Sequence, residues 1–364
     1  MFKKISYFTF TILFSYQVSA ATLVDNFKSA IEKKDYLAVR IIVKKMSLTN
    51  VSFQQWYTVK KILQKTPQVG FNTVLGWEAK FKEKFSDKLA IEDALLSLAD
   101  KQMLVNKFSE AFVNYQKALI VINAKDRGKT LLSQMIYHRM ARALYGAGRF
   151  AESLQVYDWI GNDYIFLRQI IFERTWAAFR ANKIERTLGL IVSQHSPRIR
   201  VTMEPEIFLM QFYIYKRLCR DEEAKKVIEE LNSQINYFKT RVSWLEWAKS
   251  DIENLWLLKI LDSPNSNNFG ISLEERKKER EKISNGLKAE FQREKNRLQA
   301  QAEHMLAYMN LAVEQTPKVL LKIEKLPDKE KLLNSGLNIW TSEKAEDWSD
   351  ELGLHYFVGE SLCK

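Results

Sequence analysis

The sequence has 364 residues, of which 46% are hydrophobic, and this excludes a wholly disordered chain because a substantial core can form. Glycine (12 residues) and proline (6 residues) are scarce, which favours helix over most of the length. The formal charge of +12 comes from basic residues interleaved with acids, so a solvated surface explains it better than a nucleic-acid site does.

The first twenty residues have the pattern of a secretory signal peptide. Lys3 and Lys4 precede an apolar run at 5–16, and Val18-Ser19-Ala20 provides the small residues found before a cleavage site. The apolar run is shorter than the roughly 20 residues of a transmembrane helix. We therefore expect signal peptide 1–20 to be cut before Ala21 and the protein to be exported. The alternative is an uncleaved N-terminal anchor.

Residues 21–90 predict helical hairpins with an irregular pattern. Amphipathic stretches lie on both sides of Lys33-Lys34-Asp35, and a further helix follows near Phe53. We interpret this segment as degenerate repeat units that precede a more regular array at 91–262.

The clearest unit of the array is Tyr137–Ile160, in which glycines separate two amphipathic helices. Small residues at the predicted crossing, Ala141 and Ser153, let the two helices approach closely. Three further copies have a small residue at the position of Ser153. These second-helix positions are Ala111, Ser153, Thr187 and Ala224, at steps of 42, 34 and 37 residues.

The four copies resemble tetratricopeptide repeats (TPR), whose unit is 34 residues long. Their matching residues are Leu95, Ala99, Phe108, Ala111, Tyr115 and Ala118; Ala141, Leu144, Gly148, Phe150, Ser153, Tyr157 and Ile160; Trp176, Ala178, Ile184, Thr187 and Ile191; and Phe212, Tyr215, Ala224, Ile228 and Leu231. The resemblance implies an all-α solenoid of helical hairpins that takes part in protein–protein interaction. A generic helical bundle is the alternative.

After a linker at 263–272, residues 273–315 predict one long charged helix. Phe291, Leu298, Met305 and Ala312 recur every seven residues, which is typical of a coiled-coil seam. The first half is dense in charge, so we expect it to project into solvent. We expect the half from Leu298 to Val313 to dock on another surface, which the sequence does not identify.

The tail at 316–364 contains large aromatic residues, and we expect it to fold back onto the array. Its run at 346–353 resembles the closing segment of exported TPR proteins from gliding and predatory bacteria. In an exported protein Cys219 and Cys363 are permitted to form a disulfide, and the alternative is two unpaired thiols.

No motif in the sequence indicates an enzyme, a metal or a cofactor. Gly128-Lys129-Thr130 lacks the earlier glycine of a phosphate-binding loop, because position 123 is Asn123. The four histidines have no metal-ligand spacing, and no nucleophile motif is present. Most aromatic residues fall on predicted core faces, so packing explains them better than stacking on nucleic acid or glycan. We expect some of them to line the inner groove of the array.

The first helices of the repeats supply the candidate binding site. Side chains there that packing does not need are mostly cationic, and they suit an acidic protein or peptide. These candidates are Lys101, Asn106, Arg139, Arg142, Arg174, Arg180, Lys216 and Arg217. A solvated face explains them equally well.

The sequence therefore favours a non-catalytic periplasmic scaffold that holds an envelope protein or peptide in a groove. The alternatives are a cell-envelope enzyme with an unrecognised carboxylate site, or a binder of an anionic polymer or glycan.

Overall fold

A computed structural model describes residues 20–82, 84–85, 88, 91–122, 131–196, 199, 203–263, 269–314, 338–340, 355–357 and 361–363. The predicted signal peptide (except Ala20), the Gly128-Lys129-Thr130 segment and most of the tail lie outside the described residues. Helices dominate what is described, which confirms the all-α fold class.

The described helices are α1 (Ala20–Glu32), α2 (Tyr36–Met46), α3 (Phe53–Gln64), α4 (Phe71–Lys82), α5 (Ile91–Leu104), α6 (Phe108–Val121), α7 (Leu131–Gly146), α8 (Phe150–Tyr157), α9 (Leu167–Arg180), α10 (Ile184–Gln194), α11 (Pro205–Arg217), α12 (Asp221–Thr240), α13 (Trp244–Lys249), α14 (Ile252–Leu261) and α15 (Leu273–Ala312). A 3₁₀ turn, Pro67–Val69, precedes α4. Two short parallel strands, β1 (Asn338–Trp340) and β2 (His355–Phe357), pair in the tail.

Five helical hairpins of the described chain share one turn. The turns lie in α1/α2, α5/α6, α7/α8, α9/α10 and α11/α12. Two residues before the second helix, the backbone adopts a positive φ of 54° to 76°. The next amide donates to the carbonyl oxygen five residues back, at 2.9 Å in every case, which closes the first helix. The positive-φ residues, which we call the turn residues, are Lys34, Asn106, Gly148, Asn182 and Cys219.

The small residues predicted at the helix crossings are completely buried. Ala111, Ser153, Thr187 and Ala224 each have 0% of their surface exposed. The Ser153 hydroxyl donates to the carbonyl oxygen of Ala141 at 2.8 Å, so it bonds to the first helix of its own hairpin. A larger side chain at this crossing would push the two helices apart.

The hydrophobic core of the described residues has three large clusters. The first joins α1–α4 to the end of α12, to α13 and α14, and to α15 as far as Leu298. The second holds α5–α9 together, and the third holds α9–α12 against the second half of α15. The N-terminal helices therefore pack against helices from the far end of the sequence.

The first half of α15 is docked, so the prediction that it projects into solvent is wrong. Ile283 and Leu287 are buried in the first cluster. Arg276 is 1% exposed, and its guanidinium donates to both carboxylate oxygens of Asp35, at 3.2 and 2.8 Å. A charge-dense segment can dock when distant acids and bases pair with it, which local sequence pattern does not show. The predicted docking of the second half is confirmed by the burial of Leu298.

The described parts of the tail contact the array. Strand β2 packs on α10, and every residue of α10 is buried. The Leu362 amide donates to the carbonyl oxygen of Leu218 at 2.9 Å. Cys219 and Cys363 are joined by a disulfide, with their Cα atoms 5.0 Å apart. The chain end is therefore tied to the turn of the α11/α12 hairpin.

Candidate functional site

A groove runs across the first helices of three successive hairpins, α7, α9 and α11, and ends at α15. It consists of two cavities of about 440 and 500 Å³ that share Trp176. We call it the aromatic groove, and its lining residues are Arg142, Tyr145, Gly146, Tyr157, Phe172, Glu173, Trp176, Phe179, Glu206, Leu209, Met210, Tyr213, Met305 and Tyr308.

Equivalent positions of the repeated hairpins line this groove. Arg142, Trp176 and Tyr213 each lie six residues before the turn residue of their hairpin. Phe172 and Leu209 each lie ten residues before it. The groove therefore follows from the shared geometry of these hairpins, because each first helix contributes the same face to it.

Both ends of this first-helix face are covered by other parts of the chain. At α5, helices α3 and α4 lie over the face, and Lys60 forms an ion pair with Asp93. At α11, Met305 and Tyr308 of α15 form the end of the groove. The face is open between these covers, and Tyr213 and Tyr308 are 41% and 59% exposed there.

A network of polar side chains forms one wall of the groove, with Glu173 at its centre. The Arg142 guanidinium donates to both Glu173 oxygens at 2.5 to 3.1 Å. Oε2 of Glu173 also lies 2.9 Å from Nε2 of His138 and accepts from the Tyr157 hydroxyl at 2.8 Å. Nδ1 of His138 lies 3.3 Å from the Tyr164 hydroxyl. The network thus links α7, α8 and α9.

The electrostatics of the network favour a fixed, ionised carboxylate. Burial by itself would raise the pKa of Glu173, but hydrogen bonds from His138 and Arg142 outweigh it and lower the pKa to about 2. Burial lowers the pKa of His138 and raises that of Tyr157. A carboxylate held by three partners at such a pKa is a poor general base near neutral pH, so the arrangement is suited to joining the helices.

Two predicted arginines of α7 contribute differently from expectation. Arg142 lines the groove, but Glu173 already neutralises its charge. Arg139 pairs with Asp100 of α5 at 3.3 Å and lies beside the covered part of the face. Neither presents an unpaired cation to a ligand.

Arg174 is wrongly predicted as a groove residue. Its side chain is 9% exposed, it pairs with Asp158, and Arg186 lies close by. Because Arg174 is two residues from Trp176 on a helix of 3.6 residues per turn, the two side chains point in different directions.

Lys216 also forms hydrogen bonds within the protein. Its ammonium donates to Asp221 at 2.6 Å and to the carbonyl oxygen of Val313 at 2.7 Å, so it ties α15 to the α11/α12 turn. Lys101 and Asn106 are exposed on α5 and its turn, outside the groove.

Arg180 and Arg217 are predicted cations that stack on aromatic rings near the groove. The Arg180 guanidinium lies 4.5 Å from the centre of the Phe150 ring, and Phe150 contacts Tyr145 of the groove. The Arg217 guanidinium lies over the Tyr213 ring at 5.1 Å and donates to its hydroxyl. Stacking of this kind holds each guanidinium beside an aromatic wall.

The sequence predicts aromatic residues in the groove but does not say which ones, and aromatic side chains form half of its lining. Trp176 enters the sequence analysis only as part of the repeat pattern, and Phe172, Tyr213 and Tyr308 are not singled out. Alignment of the hairpins on their turn residues would have found Trp176 and Tyr213 as equivalents of Arg142. Nothing in the local pattern indicates that Tyr308 of α15 joins them.

The described residues were also searched for metal sites and membrane-spanning helices, and the sequence was compared with known proteins. Within the described ranges, no group of three or more His, Cys, Asp or Glu residues could hold a metal ion. Each helix in the described part of the chain is too short or too polar to cross a membrane. Comparison with models of known protein families and with curated proteins finds no match.

Proposed function

We propose that this protein is an exported, non-catalytic scaffold built from TPR-type hairpins, and that it holds a short peptide segment of another envelope protein in the aromatic groove. The shared turn and the buried small residue at each crossing support the TPR assignment. A cut before Ala21 would leave α1 almost whole, since α1 begins at Ala20.

The observation that carries this proposal is the placement of the open face. Helices α3 and α4 cover one end of the first-helix face, and the end of α15 covers the other. Between them lies the open groove, which is lined by equivalent positions of successive hairpins. Concave clefts with mostly apolar walls and a few polar groups are the usual form of binding sites. Aromatic side chains such as Trp176 and Tyr213 supply much of the binding energy in protein interfaces.

The side chains in and near the groove indicate more closely which kind of peptide would bind there. Four of the predicted cations already have carboxylate partners within the protein, which lowers the demand for a strongly acidic ligand. Arg180 lies over the Phe150 ring beside the aromatic wall. We therefore expect a peptide with apolar or aromatic anchors and an acidic group placed to reach Arg180.

Selection of peptides on the full mature protein tests the proposal. Peptides from a displayed random library are selected on the wild type, and their affinities are measured for Trp176→Ala and Tyr213→Ala. Loss of one aromatic anchor should weaken binding at least about tenfold, or roughly 1.4 kcal/mol. Tyr237→Ala is the matched control, because Tyr237 is a 38% exposed tyrosine on α12 outside the groove.

Selected peptides that bind the groove variants as well as the wild type would rule out the groove as the site. A steep loss of affinity with salt for peptides lacking apolar residues would instead favour the binding of an anionic polymer.

A further inference from the structure

The outer face of helix α5 is exposed, although the equivalent face is buried in the later first helices. Leu98 lies eight residues before its turn residue and is 47% exposed. The residues at this position in α7, α9 and α11 are Met140, Arg174 and Gln211, and they are at most 8% exposed.

The difference arises because, among the residues that the structure describes, no hairpin precedes α5 on this side. Helix α6 packs on α7, α8 on α9, and α10 on α11, so each later first helix is covered by the hairpin before it. The N-terminal helices reach α5 on another side, where Asp93 meets Lys60. The array therefore has an uncovered end formed by α5 and α6.

This end carries several exposed apolar side chains. They are Ile91 and Leu98 on α5, Val105 directly after α5, and Val113, Ile120 and Val121 on α6, with 43% to 75% of each exposed. Terminal repeats of stacked arrays usually need a polar outer face for solubility. Exposed apolar side chains grouped on one face of a helix, as Ile91 and Leu98 are, commonly mark an interface.

We propose that the α5 face pairs with the α5 face of a second copy around a two-fold axis at Leu98. Ile91 lies seven residues before Leu98, two turns away on the same side of α5. Val105, the first residue after α5, lies seven residues after Leu98 and continues that side. An antiparallel pair of α5 helices therefore sets Ile91 of one copy against Val105 of the other, at both ends of the contact.

Two observations favour a second copy in this arrangement over a repeated stacking of hairpins. Head-to-tail stacking is blocked, because Ala302 and Met309 of α15 already cover the last hairpin, α11/α12. Lys101 occupies the position of the fully buried Ala143 and Ala177, so a closely stacked hairpin would bury its ammonium. In the two-fold pair Lys101 lies towards the edge, where its amine reaches water.

The size of the face indicates a reversible dimer. Helices α5 and α6 have 14 residues each, so their joint face measures roughly 21 by 20 Å, or about 400 Å² per copy. Stable complexes bury about 800 Å² per partner. We therefore expect monomers at low concentration and dimers at high concentration.

Analytical ultracentrifugation of the full mature protein over a roughly hundredfold concentration range tests this inference. The wild type should shift from monomer to dimer. Leu98→Glu should weaken self-association at least about tenfold, since two carboxylates then meet at the two-fold axis. Leu104→Glu is the matched control, because Leu104 is 84% exposed but lies about 120° around the helix from Leu98.

Oxidative cross-linking through Leu98→Cys provides a second measurement on a side chain that is already exposed. A disulfide-linked dimer should form readily from Leu98→Cys and poorly from Leu104→Cys. A wild type that stays monomeric at every concentration would overturn the inference. Equal self-association of Leu98→Glu and the wild type, or equal cross-linking from the two cysteines, would overturn it as well.

Discussion

The two halves of α15 dock by different means. The first half relies on buried charge: Arg276 pairs with Asp35, and Glu279 lies 3.5 Å from Arg40. The second half relies on apolar contacts, with Met309 fully buried, and its ion pair between Arg297 and Glu204 is near the surface. One helix thus joins the N-terminal helices to the last hairpin of the array.

This contrast teaches that charge density in a sequence does not by itself indicate exposure. Arg276 meets a carboxylate 241 residues away in the chain, at the start of α2. Asp35 there also accepts from the Ala38 amide at 3.0 Å, so one carboxylate serves both the cap of α2 and the docking of α15. Removing either half of such a buried pair leaves an uncompensated charge.

The largest effect is expected from Arg276→Ala in the first half. It should lower the free energy of unfolding by about 4 kcal/mol, because Asp35 would remain buried and lose its partner. Chemical denaturation measures the change. A loss below about 1 kcal/mol would show that the first half is held by its apolar residues alone.

A somewhat smaller effect is expected from Met309→Ala in the second half. The lost apolar contact and the cavity left behind should cost about 3 kcal/mol. The loss should be the same at low and high salt, since no charge is involved. A salt-dependent loss would contradict the apolar account of this half.

Glu173 in the groove wall is another largely buried charge that should stabilise the fold. Its folded pKa of about 2 is below its unfolded value, so its stabilisation is complete above about pH 4.5 and is lost as the pH falls towards 2. The wild type should lose about 2 to 3 kcal/mol from this source over that interval. Glu173→Gln should lack this part of the acid dependence.

Measurement of the unfolding free energy against pH tests that prediction, with Glu152→Gln as the control. Glu152 also pairs with an arginine, Arg149, but on the exposed surface. Its substitution should leave the shape of the pH profile unchanged. Parallel acid profiles for Glu173→Gln and the wild type would show that Glu173 does not stabilise the fold.

The smallest effect is expected from Arg297→Ala. This side chain pairs with Glu204 in two hydrogen bonds of 2.8 Å, yet it is 40% exposed. Solvent-exposed ion pairs of this kind contribute about 1 kcal/mol or less. A loss similar to that of Arg276→Ala would remove the distinction between the two halves.

The sequence predicts the hairpins well and their surroundings poorly. The small residues at the crossings, such as Ser153, were identified because close helix packing demands them locally. Of the five turn residues only Gly148 carries the usual glycine signal, whereas Asn182 and Cys219 reach the same backbone conformation without it.

In the candidate site too, the sequence predicts positions within a hairpin but not contacts between distant segments. The positions of Arg142 and Trp176 follow from the repeat, but the pairing of Arg142 with Glu173 depends on how two hairpins stack. The contribution of Tyr308 depends on where a helix far along the chain docks. Neither contact has a local pattern.

The most direct test of the binding groove is photo-cross-linking in cells that produce the protein. A photoreactive p-benzoylphenylalanine is placed in the groove by Tyr213→p-benzoylphenylalanine and Tyr308→p-benzoylphenylalanine, and outside it by Tyr237→p-benzoylphenylalanine. Both groove positions should capture the same segment of one partner protein, and the control position should not. Capture of that partner equally from Tyr237, or from neither groove position, would contradict the account.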